Sequence, residues 1–224
     1  LGLDAIIIDH HHVPEVLPSA YAIINQKLHG ETYPFRDLCG AGTAFKVAQA
    51  LFRRFIPDHE DQAKWLLDIV ATGTVADVMP LVGENRVLVT YGLIVLSRTK
   101  RVGFQEMFRV GRMPFSLEKK PSARDIAFQI APRINAASRM AHAMLAHDLL
   151  MESDADRANK LALELEDHNN ARRKLSTEMV EQVSALVESE YADKKFIFAV
   201  GETYPFGIVG LIAGRIASTY RKPT

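Results

Sequence analysis

The sequence predicts an α/β protein in which a parallel sheet is flanked by helices. Residues 5–8 form a short apolar run rich in β-branched side chains, and this composition is typical of a strand buried on both faces. Ligand-forming side chains follow that run directly, as they do at the carboxyl end of a strand in an open α/β sheet. Residues 44–55 then repeat apolar side chains at helical spacing, which predicts the first flanking helix.

Length and composition limit the kinds of protein that this chain can be. The 224 residues can form one large domain or two small ones. No apolar run approaches the roughly 18 residues of a membrane span, and the single cysteine, Cys39, forbids an internal disulfide. These features predict a cytoplasmic protein without membrane contact. Because the chain lacks an initial Met and starts almost directly in the predicted strand, we expect a fragment of a longer protein.

Charge is balanced globally but uneven along the chain. The formal net charge is zero, so no overall basic signature indicates nucleic acid. Residues 98–139, however, contain ten Lys and Arg against three acidic residues, a local charge of +7. Two interpretations stay open, a solvated basic face or a groove that binds a phosphate backbone.

The first strand ends in a candidate metal site. Asp9, His10 and His11 offer one carboxylate and two imidazoles, a set that suits Mn, Fe, Zn or Mg-type ions. A polar turn is the alternative. An Asp-His-His-x-x-Pro pattern ending at Pro14 after an apolar strand favours the metal site, and His12 is not expected to be a ligand.

Two further segments continue the first half of the chain. Residues 38–43 predict a glycine-rich turn that opens the helix ending before Pro57. Its backbone N–H groups can hold an anion, or its glycines only permit close packing, and neither interpretation is preferred. Residues 61–75 predict a second amphipathic helix. It leads to Asp77, a carboxylate among apolar neighbours that must either cap a helix or bind a metal.

The middle of the chain predicts more helices. The apolar spacing of residues 85–97 favours a helix, and Ser122 with Asp125 forms a capping box for a short helix that ends at residue 130. A short loop is expected next. Arg133, beside a proline in that loop, can make a rigid bidentate contact with a phosphate, or the segment is an ordinary surface loop.

The last third predicts a long helix followed by a second α/β segment. Helices are expected at 142–151 and from Ser153 onward, where the apolar stripe is too irregular for a coiled coil and suits a bridge between domains. Residues 195–200 predict a strand, and residues 207–216 predict a helix that opens after a glycine.

Five motifs in this order resemble the RecJ family of the DHH phosphoesterase superfamily, over essentially the whole chain. They are Asp9-His10-His11, residues 40–46, 73–81, 132–137 and 207–215. The resemblance implies the C-terminal part of a DHH phosphoesterase domain (1–150), a bridging helix (151–192) and the start of a DHHA1 α/β domain (193–224). It also implies that two upstream aspartate motifs and a following oligonucleotide-binding domain are absent here, so these 224 residues alone should be inactive or nearly so.

By this resemblance the chain hydrolyses phosphodiester bonds, as a 5′→3′ exonuclease specific for single-stranded DNA in repair and recombination. Two ions, Mn²⁺ or Mg²⁺, would be bound by catalytic residues that include Asp9, His10, His11 and Asp77. Single-stranded DNA is the implied partner, with a single-strand-binding protein and a helicase as further partners. The implied substrate-binding residues are Arg133, Asn135, Arg139, Gly207, Gly210 and Arg215.

Three residues depart from the family pattern, and two other functions compete. Ser138 stands where the family has glycine, and Tyr204 and Pro205 stand where many members have Trp-His. One competitor is a DHH phosphodiesterase acting on cyclic dinucleotides or very short oligonucleotides, although its Gly-Gly-Gly-His stretch is not seen. The other is a catalytically silent DNA-binding scaffold, which the retained ligands argue against.

Overall fold

The computed structural model describes residues 2–116, 118–201 and 204–224 and confirms the α/β class, with many helices and a small parallel sheet. In chain order the elements are β1 (Ile6–Ile8), β2 (Ala22–Ile24), α1 (Gly40–Phe55), a 3₁₀ helix (Pro57–Leu66), α2 (Leu67–Ala76), α3 (Gly83–Leu96), α4 (Val102–Val110), α5 (Ala123–Asp125), a π turn (Ile126–Ile130), α6 (Ala131–Met140), α7 (Met144–Met151), α8 (Ala155–Glu190) and α9 (Phe206–Tyr220).

The chain divides into two compact units. Unit 1 comprises residues 1–100 and 113–131, and unit 2 comprises residues 101–112 and 132–224. The division expected from sequence, with boundaries at 150 and 192, stays a prediction. Among the described residues, no helix is both long enough and apolar enough to cross a membrane.

The sheet of unit 1 pairs β1 with β2 in parallel, with Ile7 opposite Ile23. The expectation that β1 is buried on both faces is wrong, since Ile6 and Ile8 are 59% and 39% exposed. Within the described residues β2 is the one strand that pairs with β1. A two-stranded sheet of three-residue strands has too little area for neighbouring helices to cover both faces.

Helices α1, α2 and α3 build the core of unit 1 around the apolar side chains Leu38, Phe45, Ala63, Leu67, Val70 and Leu88. The helix expected over 61–75 is instead divided, with a 3₁₀ helix preceding α2, and His59 departs from helical geometry with a φ of −119°. Trp65 is 41% exposed and lies under the Lys100 ammonium, which is 4.5 Å from the ring centre. Helix α3 confirms the helical interpretation of residues 85–97.

The loop expected after residue 130 is wrong, because the backbone stays helical from Ala123 to Met140. The capping box of Ser122 and Asp125 starts this helical run as predicted. Pro132 has no N–H to donate, and its ring conflicts with regular helix geometry. The preceding π turn accommodates it, since the Ala131 N–H donates to the Ile126 carbonyl one residue further back than in an α-helix.

Unit 2 is organised by the 36-residue helix α8, which packs against α4, α7 and α9. The Asp154 side chain caps it by accepting from the Arg157 N–H at 2.8 Å. The strand expected over 195–200 is wrong. These residues form no regular secondary structure. Ile197 is buried, Phe198 is exposed, and the Ile197 N–H donates to the Pro223 carbonyl.

Candidate metal centre and substrate-binding residues

Asp9 is held at the end of β1 by the pairing of the two strands, since its N–H donates to the Ile24 carbonyl at 3.0 Å. Its carboxylate accepts from His11 Nδ1 at 2.7 Å and from the His10 N–H at 2.8 Å. The hydrogen bond from His11, then that from His10, lowers the pKa of Asp9 to about 2. Asp9 is therefore a fully ionised carboxylate near neutral pH, the form that binds metal.

His10 lies between the two aspartates. Its side chain is 13% exposed, and its Nε2 is 3.4 Å from Asp77 Oδ2. Burial lowers the pKa of His10, and the attraction of Asp77 opposes this only in part. Its Nδ1 is buried and has no hydrogen-bond partner among the described residues. A neutral imidazole is the form of histidine that binds a metal ion.

The four residues predicted as ligands come together as two contacting pairs. Asp9 pairs with His11, Asp77 pairs with His10, and the two imidazole rings meet with centroids 4.2 Å apart. In residues 2–116, 118–201 and 204–224 no group of three or more His, Cys, Asp or Glu side chains is arranged to hold a metal. The donor types fit a divalent ion, and the assignment of these ligands stays a prediction.

Asp77 owes its position to the end of α2. It is the C-cap residue of that helix, and the next residue, Val78, has a left-handed φ of 56°. The Val78 N–H donates to the Val75 carbonyl and the Met79 N–H to the Thr74 carbonyl, the bond pattern of a Schellman motif. Glycine is usual at the left-handed position, and a β-branched residue there is strained.

Replacing Val78 by glycine should raise the free energy of unfolding by about 1 kcal/mol, because glycine adopts a left-handed φ without steric cost. Val78 is 87% exposed, so little packing is lost. Chemical denaturation of both proteins measures the change. Val87→Gly, at an exposed position inside α3, is the control and should lower the same free energy by about 1 kcal/mol. If both variants lost the same free energy of unfolding, the backbone at Val78 would not be strained.

Most of the glycine-rich segment 38–43 belongs to α1 and does not form a separate turn, since the helix begins at Gly40. Cys39 caps this helix, and its Sγ accepts from the Gly42 N–H at 3.3 Å. A Cβ on Gly73 would lie 2.8 Å from the Ala41 Cβ, so α1 and α2 are packed closely here. This contact favours the packing interpretation, and an anion at this helix start stays a prediction. Sequence reasoning gave no role to Cys39.

In unit 2, Arg133 lies on α6 and is paired with Glu166 of α8. Its Nε and Nη2 donate to the two carboxylate oxygens at 2.5 and 3.1 Å, and both side chains are mostly buried. Glu166 was missed by sequence reasoning, because a glutamate in a long charged helix gives no signal of a distant partner. Since a carboxylate already accepts from this guanidinium, phosphate binding by Arg133 stays a prediction.

The structure brings Arg139 and Gly207 together. Arg139 Nη1 donates to the Gly207 carbonyl at 2.8 Å, and a Cβ on Gly207 would lie 2.4 Å from the Arg139 carbonyl oxygen. Gly207 is thus required for close packing of α6 and α9. Asn135, on α6, is exposed, as are Gly210 and Arg215, on α9, and a Cβ on Gly210 would meet nothing within 4 Å.

Two other sequence expectations gain a structural context. Ser138 lies within α6 and has no left-handed φ, so its position does not require glycine.

Several cations of the basic segment 98–139 have local partners, since Arg109 pairs with Glu106 and Arg124 lies over the Phe128 ring. A groove formed by this segment stays a prediction.

Comparison with known proteins extends these observations. Residues 1–74 match the model of the DHH family, N-terminal domain. The chain is 37% identical over 223 residues to the single-stranded-DNA-specific exonuclease RecJ of Bacillus subtilis, covering 100% of this chain and 27% of that protein. It is 33% identical over 239 residues to RecJ of Escherichia coli, covering 100% of this chain and 40% of that protein.

Solved structures of RecJ are also similar to this chain. An exonuclease RecJ bound to manganese superposes with a TM-score of 0.82 at 31% identity, covering 99% of this chain and 54% of that chain. RecJ from Thermus thermophilus in complex with Mn²⁺ gives 0.82 at 30% identity, covering 99% and 32%. The chain therefore spans about half or less of the proteins that it resembles.

Proposed function

We propose that this chain, which matches a RecJ-type segment in sequence and in fold, forms part of a metal-dependent exonuclease specific for single-stranded DNA. The observation that carries the proposal is the meeting of the pairs Asp9–His11 and His10–Asp77 at the ends of β1 and α2. Such a set of two carboxylates and two imidazoles is suited to activating water for phosphodiester hydrolysis with a bound ion.

Asp9, His10, His11 and Asp77 would hold Mn²⁺ or Mg²⁺, the ions present in solved RecJ structures. When bound, the metal supplies an activated water and stabilises charge on the phosphoryl group. Imidazole ligands bias the site toward Mn²⁺, because Mg²⁺ prefers oxygen ligands and retained water. The chain's own contribution is to keep Asp9 ionised and His10 neutral.

The substrate side of the proposal uses exposed groups of unit 2. Asn135, Arg139, Gly210 and Arg215 are exposed and would contact the DNA backbone. We also propose, on the resemblance alone, 5′→3′ digestion in the cytoplasm during repair and recombination, a single-strand-binding protein and a helicase as partners, and the boundaries at residues 150 and 192.

The test is a digestion assay on the full-length protein that contains this chain. End-labelled single-stranded DNA, duplex DNA and a cyclic dinucleotide are each offered with Mn²⁺, with Mg²⁺ and with a chelator. We expect loss of single-stranded DNA from its 5′ end, faster with Mn²⁺ than with Mg²⁺ and absent with the chelator. Hydrolysis of the dinucleotide with DNA untouched would contradict the proposal, as would DNA binding without hydrolysis.

A further inference from the structure

The backbone gives little support to the segment that carries the two predicted histidine ligands. β1 ends at Ile8, and the next residue, Asp9, still donates its N–H to the Ile24 carbonyl at 3.0 Å. Beyond Asp9 the strand pairing stops. In the part of the chain that the structure describes, residues 10–20 take part in no backbone-to-backbone hydrogen bond. The positions of His10 and His11 therefore depend on contacts that involve side chains.

The two histidines differ in these contacts. His10 reaches a distant element, since its Nε2 lies 3.4 Å from Asp77 Oδ2. The His11 side chain, in contrast, contacts only its neighbours. Its Nδ1 lies 2.7 Å from the Asp9 carboxylate, and its ring lies against that of His10. These contacts shape the turn from Asp9 to His11, but they do not connect His11 to another part of the chain.

One side chain of the second strand makes that connection. Asn25 directly follows β2 and is 4% exposed, and its Nδ2 donates to the His11 carbonyl at 3.0 Å. The Asn25 Oδ1 accepts from the Lys27 N–H at 2.9 Å, the bond of an Asx turn. Only one orientation of an amide can satisfy both a carbonyl and an N–H, so the Asn25 side chain is fixed.

The surroundings of Asn25 make this connection rigid. The residue before it, Ile24, is held by strand pairing and accepts from the Asp9 N–H. A buried amide is costly unless it is hydrogen-bonded, and a hydrogen bond shielded from water is stronger than an exposed one. Sequence reasoning gave Asn25 no role, because an asparagine after a strand is an ordinary turn residue.

We propose that Asn25 is a positioning residue for the metal centre, which holds the His11 main chain so that its imidazole meets the ion together with Asp9, His10 and Asp77. This inference rests on the proposed function and deepens it. Metal ligands must be held within roughly 0.5 Å of their productive geometry, and groups that orient a ligand contribute to metal affinity nearly as the ligands do.

The experiment measures Mn²⁺ binding to the full-length protein by the electron paramagnetic resonance signal of the free ion. Asn25→Leu has nearly the same shape as wild type but cannot donate to the His11 carbonyl. We expect it to weaken Mn²⁺ binding about tenfold, and to raise the Mn²⁺ concentration for half-maximal DNA digestion by the same factor. His11→Ala is the reference, since it removes the ligand itself and should weaken binding at least as much.

Gln26→Met is the matched control for a loss of stability. Gln26 is the next residue, is 5% exposed, and donates through Nε2 to the Leu38 carbonyl at 2.8 Å, away from the histidines. Both variants should lower the Tm, because each leaves a carbonyl without its donor. Only Asn25→Leu should weaken Mn²⁺ binding.

The outcomes separate this inference from the proposed function. Wild-type affinity in Asn25→Leu, with weakened binding in His11→Ala, would overturn the role of Asn25 and leave the metal centre intact. Equal weakening in Asn25→Leu and Gln26→Met would also overturn it, because general destabilisation would then explain the loss. A wild-type protein that binds no Mn²⁺ would refute both the metal centre and this inference.

A second variant covers the case in which Asn25→Leu does not fold. In Asn25→Ser the hydroxyl can still accept from the Lys27 N–H, as in the related serine turn, but the shorter side chain does not reach the His11 carbonyl. This variant should therefore keep more of the Tm and still weaken Mn²⁺ binding about tenfold. Unchanged Mn²⁺ affinity in a folded Asn25→Ser protein would overturn the inference.

Discussion

Replacing His11 by alanine should reduce Mn²⁺-dependent digestion of single-stranded DNA by the full-length protein by at least about 100-fold. Removing a residue that only hydrogen-bonds to a metal ligand already lowers metal affinity or activity about 10–100-fold. Removing a ligand itself should therefore lower activity more. The change acts twice. It removes one imidazole and also the His11 Nδ1 hydrogen bond, the largest cause of the lowered pKa of Asp9. Initial rates on end-labelled DNA measure the effect.

His12→Ala is the matched control, because His12 is exposed and makes no hydrogen bond or ion pair with the residues that the structure describes. It removes the same chemical group one position along the same segment, and digestion should stay within about twofold of wild type. Equal loss of activity in both variants would mean that the segment, and not the His11 imidazole, is required. Full activity of His11→Ala would refute the ligand assignment.

Replacing Gly103 by alanine should lower the free energy of unfolding by about 3 kcal/mol, at the upper end of the cost of overpacking. Gly103 lies in the first turn of α4, where a Cβ would come within 1.8 Å of the Leu149 carbonyl oxygen of α7. The obstacle is backbone beside the fully buried Leu149 and Phe104, so no flexible side chain can move aside. Chemical denaturation, followed by circular dichroism, measures the change.

Gly214→Ala is the control for this effect, since Gly214 lies within α9 and a Cβ there would meet nothing within 4 Å. Alanine has the higher helix propensity, so this variant should be more stable by about 0.5–1 kcal/mol. Opposite signs for the two substitutions would support the close approach of α4 to α7. A Gly103→Ala protein as stable as wild type would contradict it.

Local signals in the sequence predicted most of what is local in the structure. The period of 3.6 placed α3 and most of α1, and the capping box of Ser122 and Asp125 is present as expected. The position of Asp9 to His11 after an apolar strand also followed from sequence, because strand ends and ligand types are properties of neighbouring residues.

What the sequence did not predict depends on partners far along the chain or on neighbouring structure. Proline usually ends a helix, but the π turn before Pro132 lets α6 continue, and no propensity predicts this compensation. Burial of β1 depends on what covers the sheet, which the apolar run itself does not encode. The pairing of Arg133 with Glu166 spans 33 residues and left no local signature.

The most direct test of the central claim is a Mn²⁺ titration of the full-length protein, followed by the electron paramagnetic resonance signal of the free ion. Wild-type protein should bind Mn²⁺, and Asp77→Asn should weaken that binding by at least about tenfold, because a carboxylate ligand is lost. Asp148→Asn, an exposed carboxylate of α7, is the control and should bind as wild type does. Equal Mn²⁺ affinity in the wild-type and Asp77→Asn proteins would contradict the account, since Asp77 would then not be a metal ligand.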